Sequence, residues 1–126
     1  MGEGTLTPGE VPYRANIYAL KMLGVRYIIA VSACGSLREE LTPGTFVLVD
    51  QFVDRTFARG RTFFGTGFVA HVSMARPVCA RLGDVLESAA QSLGNPIVRG
   101  GTYLAMEGPQ FSSRAESDLY RSWNCD

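Results

Sequence analysis

Two short segments hold residue types that could bind a small anion or a flat ring. The first, residues 31–36, reads VSACGS, and its small side chains would let a ligand approach the backbone. Backbone N–H groups of such a turn, together with the Ser32 hydroxyl, can hold phosphate oxygens without a basic patch. The Gly-Lys-Ser/Thr ending of a P-loop is missing, and a tight turn that only needs small residues is the alternative interpretation.

The second segment, residues 107–116, reads EGPQFSSRAE. Phe111 could stack on a flat heterocycle, while Ser112 or the N-terminus of a following helix forms hydrogen bonds with its edge. In the structural alternative, Ser113 and Glu116, which have the spacing of a capping box, begin a helix, and Phe111 packs in the core. The segment alone leaves both interpretations open.

One histidine and three cysteines are the remaining candidates for reactive or metal-binding side chains. His71 lies on an apolar, β-like stretch, where a lone histidine is more often packed than catalytic. Cys34 has no basic neighbour in the sequence, so we interpret it as a small buried cysteine and not as a nucleophile. The wide spacing of Cys34, Cys79 and Cys125 indicates neither a disulfide framework nor a metal site.

Apolar spacing along the chain predicts helices that alternate with short β segments, as in an α/β fold. Residues 27–32 (YIIAVS) are nearly all apolar, which is typical of a strand covered on both faces of a parallel sheet. We expect a second strand at residues 45–53 to lie beside it, so that VSACGS follows a strand end, where α/β sheets bind ligands. The other predicted elements are helices at residues 13–23, 77–93 and 114–123 and a β segment at residues 97–106.

Residues 54–68 (DRTFARGRTFFGTGF) mix arginine, glycine and phenylalanine without a helical or strand period. The pattern predicts a long loop, and loops of this length in compact domains are often functional. This loop is therefore a candidate wall of a binding site.

Composition excludes several classes of partner. The chain has 126 residues, of which 46% are hydrophobic, as expected for one globular domain or a part of one. Twelve basic and twelve acidic residues give no net field that would attract nucleic acid or an anionic membrane. No apolar run reaches the roughly 20 residues of a membrane span. We expect a cytoplasmic protein, with the nucleus as an alternative location.

Five segments in order, YRANIYAL, SACGSLREE followed by TPG, DQFVDRT, AHVSMARPVC and EGPQFSSRAES, resemble motifs of methylthioadenosine phosphorylases within the trimeric purine nucleoside phosphorylase family. The resemblance extends from about Pro8 to Asp126. It implies part of a three-layer α/β fold, with a mixed central sheet flanked by helices. The implied reaction is phosphorolysis of 5′-methylthioadenosine to adenine and 5-methylthioribose 1-phosphate by a pentosyltransferase, with orthophosphate as co-substrate and no metal or cofactor.

The resemblance also implies roles for five residues. Ser32 and Ala33 match the turn that contacts phosphate. Phe111 matches the aromatic residue that packs on the purine, and Ser112 stands where relatives that prefer 6-oxopurines carry a glutamate, which favours a 6-aminopurine such as adenine. His71 matches a residue that reaches the 5′ end of the nucleoside in a neighbouring subunit, as in a homotrimer. No residue of the chain is assigned a catalytic role.

The chain also departs from the family pattern. The family's glycine-rich phosphate loop and Arg-His-Gly segment are not found before residue 13, and its Asn-Met-Thr turn and purine-binding Asp are not found after Trp123. Residues 1–126 are therefore expected to form a partial nucleoside phosphorylase domain. Two alternatives stay open: a phosphorylase of broader purine nucleoside specificity, and a truncated, non-catalytic paralogue that binds purine or associates with full-length subunits.

Overall fold

The computed structural model describes residues 5–126 and contains three helices and four short strands in these residues. The described chain clusters into two compact units. The first unit consists of the described residues up to Cys34, with Thr56–His71 and Glu107–Phe111, and the second holds Gly35–Arg55, Val72–Met106 and Ser112–Asp126. In chain order the elements are α1 (Tyr13–Met22), β1 (Phe46–Leu48), β2 (Gln51–Asp54), α2 (Ala80–Ser92), β3 (Ile97–Arg99), β4 (Thr102–Ala105) and α3 (Arg114–Ser122).

All four strands belong to the second unit and pair in parallel. β1 pairs with β3 in the register Phe46 to Ile97, and β2 pairs with β4 in the register Gln51 to Thr102. Each of the two predicted β segments is thus interrupted once. The interruption after β3 falls at two glycines with φ of 86° and 145°, values that L side chains rarely adopt. Parallel strands joined through helices confirm the predicted α/β class.

The prediction of a buried strand at residues 27–32 is wrong. The structure has no strand there, and the apolar side chains are exposed, with Ile28 53%, Ile29 55% and Val31 80% accessible. A strand requires a neighbour to accept and donate its backbone hydrogen bonds, and no segment of residues 5–126 pairs with this stretch. The expected pairing with residues 45–53 is also wrong, because β1 and β2 pair with β3 and β4.

The three predicted helices are confirmed, with shifted ends. α1 begins after Pro12 and ends at Met22. α2 begins three residues later than predicted, because Cys79 at its N-cap is extended, with φ −75° and ψ 103°. α3 has the predicted capping box, in which Glu116 N donates to Ser113 Oγ at 3.2 Å and Ser113 N donates to Glu116 Oε2 at 2.7 Å.

The buried core of the second unit is small. Tyr120 and Cys125 are its buried apolar residues, with 6% and 2% accessible. The Tyr120 and Trp123 rings lie 5.8 Å apart, and the Arg55 guanidinium lies 5.5 Å from the centre of the Trp123 ring. The aromatic contacts at the end of α3 thus join it to Arg55, and Arg121 Nε donates to Leu37 O at 3.2 Å. No helix in the described part of the chain is long and apolar enough to cross a membrane.

Candidate functional site

The turn at residues 31–36 is open to solvent, as its small side chains predict. Ser32 and Ala33 are both exposed. Ser32 Oγ lies 3.8 Å from Cys34 Sγ, and Cys34 Sγ donates to Ser32 O at 3.6 Å. Cys34 is exposed together with the rest of the turn, so its interpretation as a buried cysteine is wrong. A ligand could reach the backbone of Ser32 and Ala33 directly.

The residues just after this turn, in the second unit, are held by the end of the described chain. Leu37 N donates to Asp126 O at 2.8 Å, and the Arg38 guanidinium lies 2.7 Å from Asp126 Oδ1. Asp126 Oδ2 also accepts the Thr102 N–H at 2.7 Å. The Thr102 N–H, and next the Arg38 guanidinium, hold the pKa of Asp126 below its ordinary value. Sequence reasoning missed this pair, because 88 residues separate its members.

Of the structural alternative for residues 107–116, the capping box of Ser113 and Glu116 is confirmed, and the packing of Phe111 in the core is wrong. The Phe111 ring is 93% exposed, so it is not a core residue. Ser113 caps α3, and Ser112 does not. The half-buried Ser112 Oγ instead lies 2.8 Å from Ser117 Oγ, and either atom could be the donor. The sequence pattern did not identify Ser117 as a partner of Ser112, although the two serines are only five residues apart.

Glu107 holds the loop that the sequence predicted as a wall of a site. Its carboxylate accepts hydrogen bonds from Phe57 N at 2.6 Å and Ala58 N at 3.1 Å, and Arg59 Nε lies 3.4 Å away. The Glu107 side chain is only 9% exposed. The Ala58 and Phe57 N–H groups, followed by Arg59, hold the pKa of Glu107 below its ordinary value. The sequence pattern indicates no role for this glutamate, although it begins the segment EGPQFSSRAE.

The same loop lines a cleft of about 290 Å³ beside the start of α1. Arg59 stacks on Tyr13, with its guanidinium carbon 4.7 Å from the ring centre. Arg14 Nη1 donates to Thr62 O at 3.1 Å, which holds the other side of the loop. The cleft is lined by Gly9, Val11, Pro12, Tyr13, Arg14, Ala15, Arg59 and Gly60.

His71 is exposed, so the interpretation of this histidine as a packed residue is wrong. No hydrogen bond or ring contact among the described residues joins Ser32, Ala33 or His71 to Phe111. These residues are exposed, and their binding roles stay predictions. Within residues 5–126, no three His, Cys, Asp or Glu side chains are grouped so that they could hold a metal ion.

Comparisons with known proteins agree with the motifs. A sequence profile described as the phosphorylase superfamily matches residues 3–126. The S-methyl-5′-thioadenosine phosphorylase of Cereibacter sphaeroides is 61% identical over 119 residues, which are 94% of this chain and 41% of the relative. The enzyme of the same name from Rhodospirillum rubrum is 64% identical over 120 residues, or 95% of this chain and 41% of the relative. The chain thus spans about 41% of the length of these curated relatives.

Solved structures give the same result for the fold. A methylthioadenosine phosphorylase from an antarctic soil metagenomic library is 54% identical, with a TM-score of 0.91 over 97% of this chain and 44% of that one. The methylthioadenosine phosphorylase of Schistosoma mansoni in complex with adenine is 36% identical, with a TM-score of 0.91 over 97% of this chain and 52% of that one. These similarities confirm the predicted resemblance and the α/β fold. The chain belongs to the phosphorylase superfamily.

Proposed function

We propose that the whole protein catalyses phosphorolysis of 5′-methylthioadenosine, with adenine and 5-methylthioribose 1-phosphate as products. The observation that carries this proposal is the identity of 61% and 64% to two proteins named S-methyl-5′-thioadenosine phosphorylase. The exposed turn at Ser32 and Ala33 and the exposed ring of Phe111 support it, because both are free to contact small molecules.

The chemistry needs positioning and electrostatic stabilisation more than a reactive side chain. A phosphate oxygen forms a bond to C1′ of the sugar while the bond from C1′ to the purine nitrogen breaks. The electron pair of that bond goes to the purine, which takes up the proton that hydrogen phosphate gives up, directly or through solvent, and leaves as neutral adenine. The nucleophile is the co-substrate orthophosphate, and the proposed mechanism uses neither a metal nor a cofactor.

Each predicted site residue has a physical task in this scheme. The backbone N–H groups around Ser32 and Ala33 would hold phosphate oxygens. The Phe111 ring would stack on the purine. The Ser112 hydroxyl can donate a hydrogen bond to Ser117 Oγ, 2.8 Å away. The lone pairs of Ser112 Oγ then stay free to accept a hydrogen bond from the 6-amino group of adenine.

A homotrimer in the cytoplasm is the finer part of the proposal. In such a trimer the exposed His71 would contact the 5′ end of the nucleoside bound by a neighbouring subunit. Trimers mixed from His71→Ala subunits and Phe111→Ala subunits would then regain activity, because a site with an intact Phe111 can receive His71 from a neighbouring Phe111→Ala subunit. No gain in activity on mixing the two variants would contradict this arrangement.

Adenosine is a second candidate substrate. The solved relative from Schistosoma mansoni, 36% identical, is described as an adenosine/methylthioadenosine phosphorylase. The pairing of Ser112 with Ser117 would recognise the 6-amino group of either nucleoside, so it does not choose between their 5′ groups.

The deciding experiment measures release of free base by the protein expressed from its complete gene. The substrates are 5′-methylthioadenosine, adenosine and inosine, each with orthophosphate and in a phosphate-free control. We expect phosphate-dependent release of adenine from 5′-methylthioadenosine and little reaction with inosine. Absence of phosphate-dependent release from all three would refute the proposed function and favour a non-catalytic protein, while a preference for adenosine would support the second candidate.

A further inference from the structure

The carboxylate of Glu107 joins two segments that are about 50 residues apart in the chain. It accepts the backbone N–H groups of Phe57 and Ala58 at 2.6 and 3.1 Å, and Arg59 approaches it to 3.4 Å. Only 9% of the Glu107 side chain is exposed, so water competes weakly for these bonds. Hydrogen bonds from N–H groups to an ionised carboxylate are about twice as strong as those between neutral groups.

A second set of contacts leads from Arg59 back to Gly108, the residue next to Glu107. Arg59 stacks on the Tyr13 ring at 4.7 Å, and Tyr13 Oη donates to Pro8 O at 2.7 Å. The Pro8 ring in turn packs against Gly108, where an added Cβ would lie only 3.2 Å from Pro8 Cγ. Glu107 and Gly108 are therefore held by the loop on one side and by Pro8 on the other.

Phe111 depends on this anchorage because its own ring is not held by packing. The ring is 93% exposed, so the backbone from Glu107 to Phe111 determines where it points. We propose that Glu107 is a positioning residue for the purine platform at Phe111, an inference that rests on the proposed function. Without the carboxylate, two N–H groups lose their acceptor and the backbone that carries the platform is released from the loop.

The electrostatics of Glu107 fit a fixed anchor and not a proton donor. Because the Ala58 and Phe57 N–H groups and Arg59 lower its pKa, the carboxylate stays ionised at neutral pH. Adjacent N–H groups beside a guanidinium form a concave anion site, and here a side chain of the protein occupies it. If the side chain is removed, a small free carboxylate such as acetate can take its place.

The test compares Glu107→Ala with wild type in the protein expressed from its complete gene. The variant should raise KM for 5′-methylthioadenosine about tenfold, which corresponds to about 1.4 kcal/mol, and leave KM for orthophosphate within about twofold. Acetate should restore part of the loss. Glu87→Ala is the matched control, because Glu87 also pairs with an arginine, Arg99 at 3.2 Å, but in the other unit.

A double mutant shows whether Glu107 acts through the platform. If it does, adding Glu107→Ala to Phe111→Ala should change KM for the nucleoside by less than about twofold, because the effects of coupled residues are not additive. Full additivity, or an equal rise in both KM values without acetate rescue, would overturn the inference. An unchanged KM in Glu107→Ala would overturn it as well. An inactive wild-type protein would instead refute the proposed function on which the inference rests.

Discussion

Replacing Phe111 with alanine separates a binding role from a structural one. Because the ring is 93% exposed, its removal deletes almost no buried apolar surface, and the free energy of unfolding should change by less than about 0.5 kcal/mol. Stacking of a base on an aromatic side chain contributes about 1 to 3 kcal/mol. KM for 5′-methylthioadenosine should therefore rise between about 5-fold and 150-fold, since 1.4 kcal/mol corresponds to a factor of ten.

The assay is steady-state adenine release over a range of nucleoside concentrations at saturating phosphate, with thermal unfolding measured on the same samples. Phe63→Ala is the matched control, because it removes another exposed phenylalanine, 57% accessible, that has no proposed contact with the base. An unchanged KM in Phe111→Ala would refute the assignment of Phe111 as the purine platform. A large loss of stability would instead show that the ring packs in the folded protein, against the exposure described above.

Three further predictions concern stability. Ser113→Ala removes the oxygen that accepts the Glu116 N–H and should destabilise the protein by about 1 kcal/mol; an unchanged midpoint of chemical unfolding would contradict the role of the cap. Gly83→Ala places a Cβ 2.8 Å from the flexible guanidinium of Arg99, which must move away. The lost ion pairs of Arg99 and the gain in helix propensity should nearly cancel, so the free energy of unfolding should change little. A change above about 2 kcal/mol in urea unfolding would show that the contact is rigid. The pKa of Asp126 is lowered from 3.8 in the folded protein, so the stabilisation that Asp126 contributes is present above pH 3.8 and is lost as pH falls through the folded pKa. Asp126→Asn should flatten this acid part of the curve of stability against pH. An acid profile identical to that of the wild type would contradict the role of Asp126.

The helices could be predicted from the sequence because their signals are local. The apolar spacing in residues 13–23 and 77–93 and the pair Ser113 and Glu116 depend only on neighbours within four positions. The start of α2 was placed too early because the periodic pattern does not register the extended backbone at Cys79.

The errors arose where the structure depends on distant partners. Apolar character alone predicted a strand at residues 27–32, but a strand forms only where another segment supplies backbone hydrogen bonds. Glu107 was missed for the same reason, because its partners at Phe57 and Ala58 lie about 50 residues away. The exposure of Phe111 and His71 likewise depends on which segments pack around them, which periodicity does not report.

The constant register of the strands limits where insertions and deletions can be accepted. In both strand pairs each residue faces the one 51 positions further along the chain, as Phe46 faces Ile97 and Gln51 faces Thr102. The two interruptions therefore face each other, and deleting Gly100 alone would turn the side chains of β4 to the opposite face. A length change between β2 and α2 would leave the register untouched, because pairing fixes it across the strands. Relatives that differ in length should therefore keep both interruptions matched.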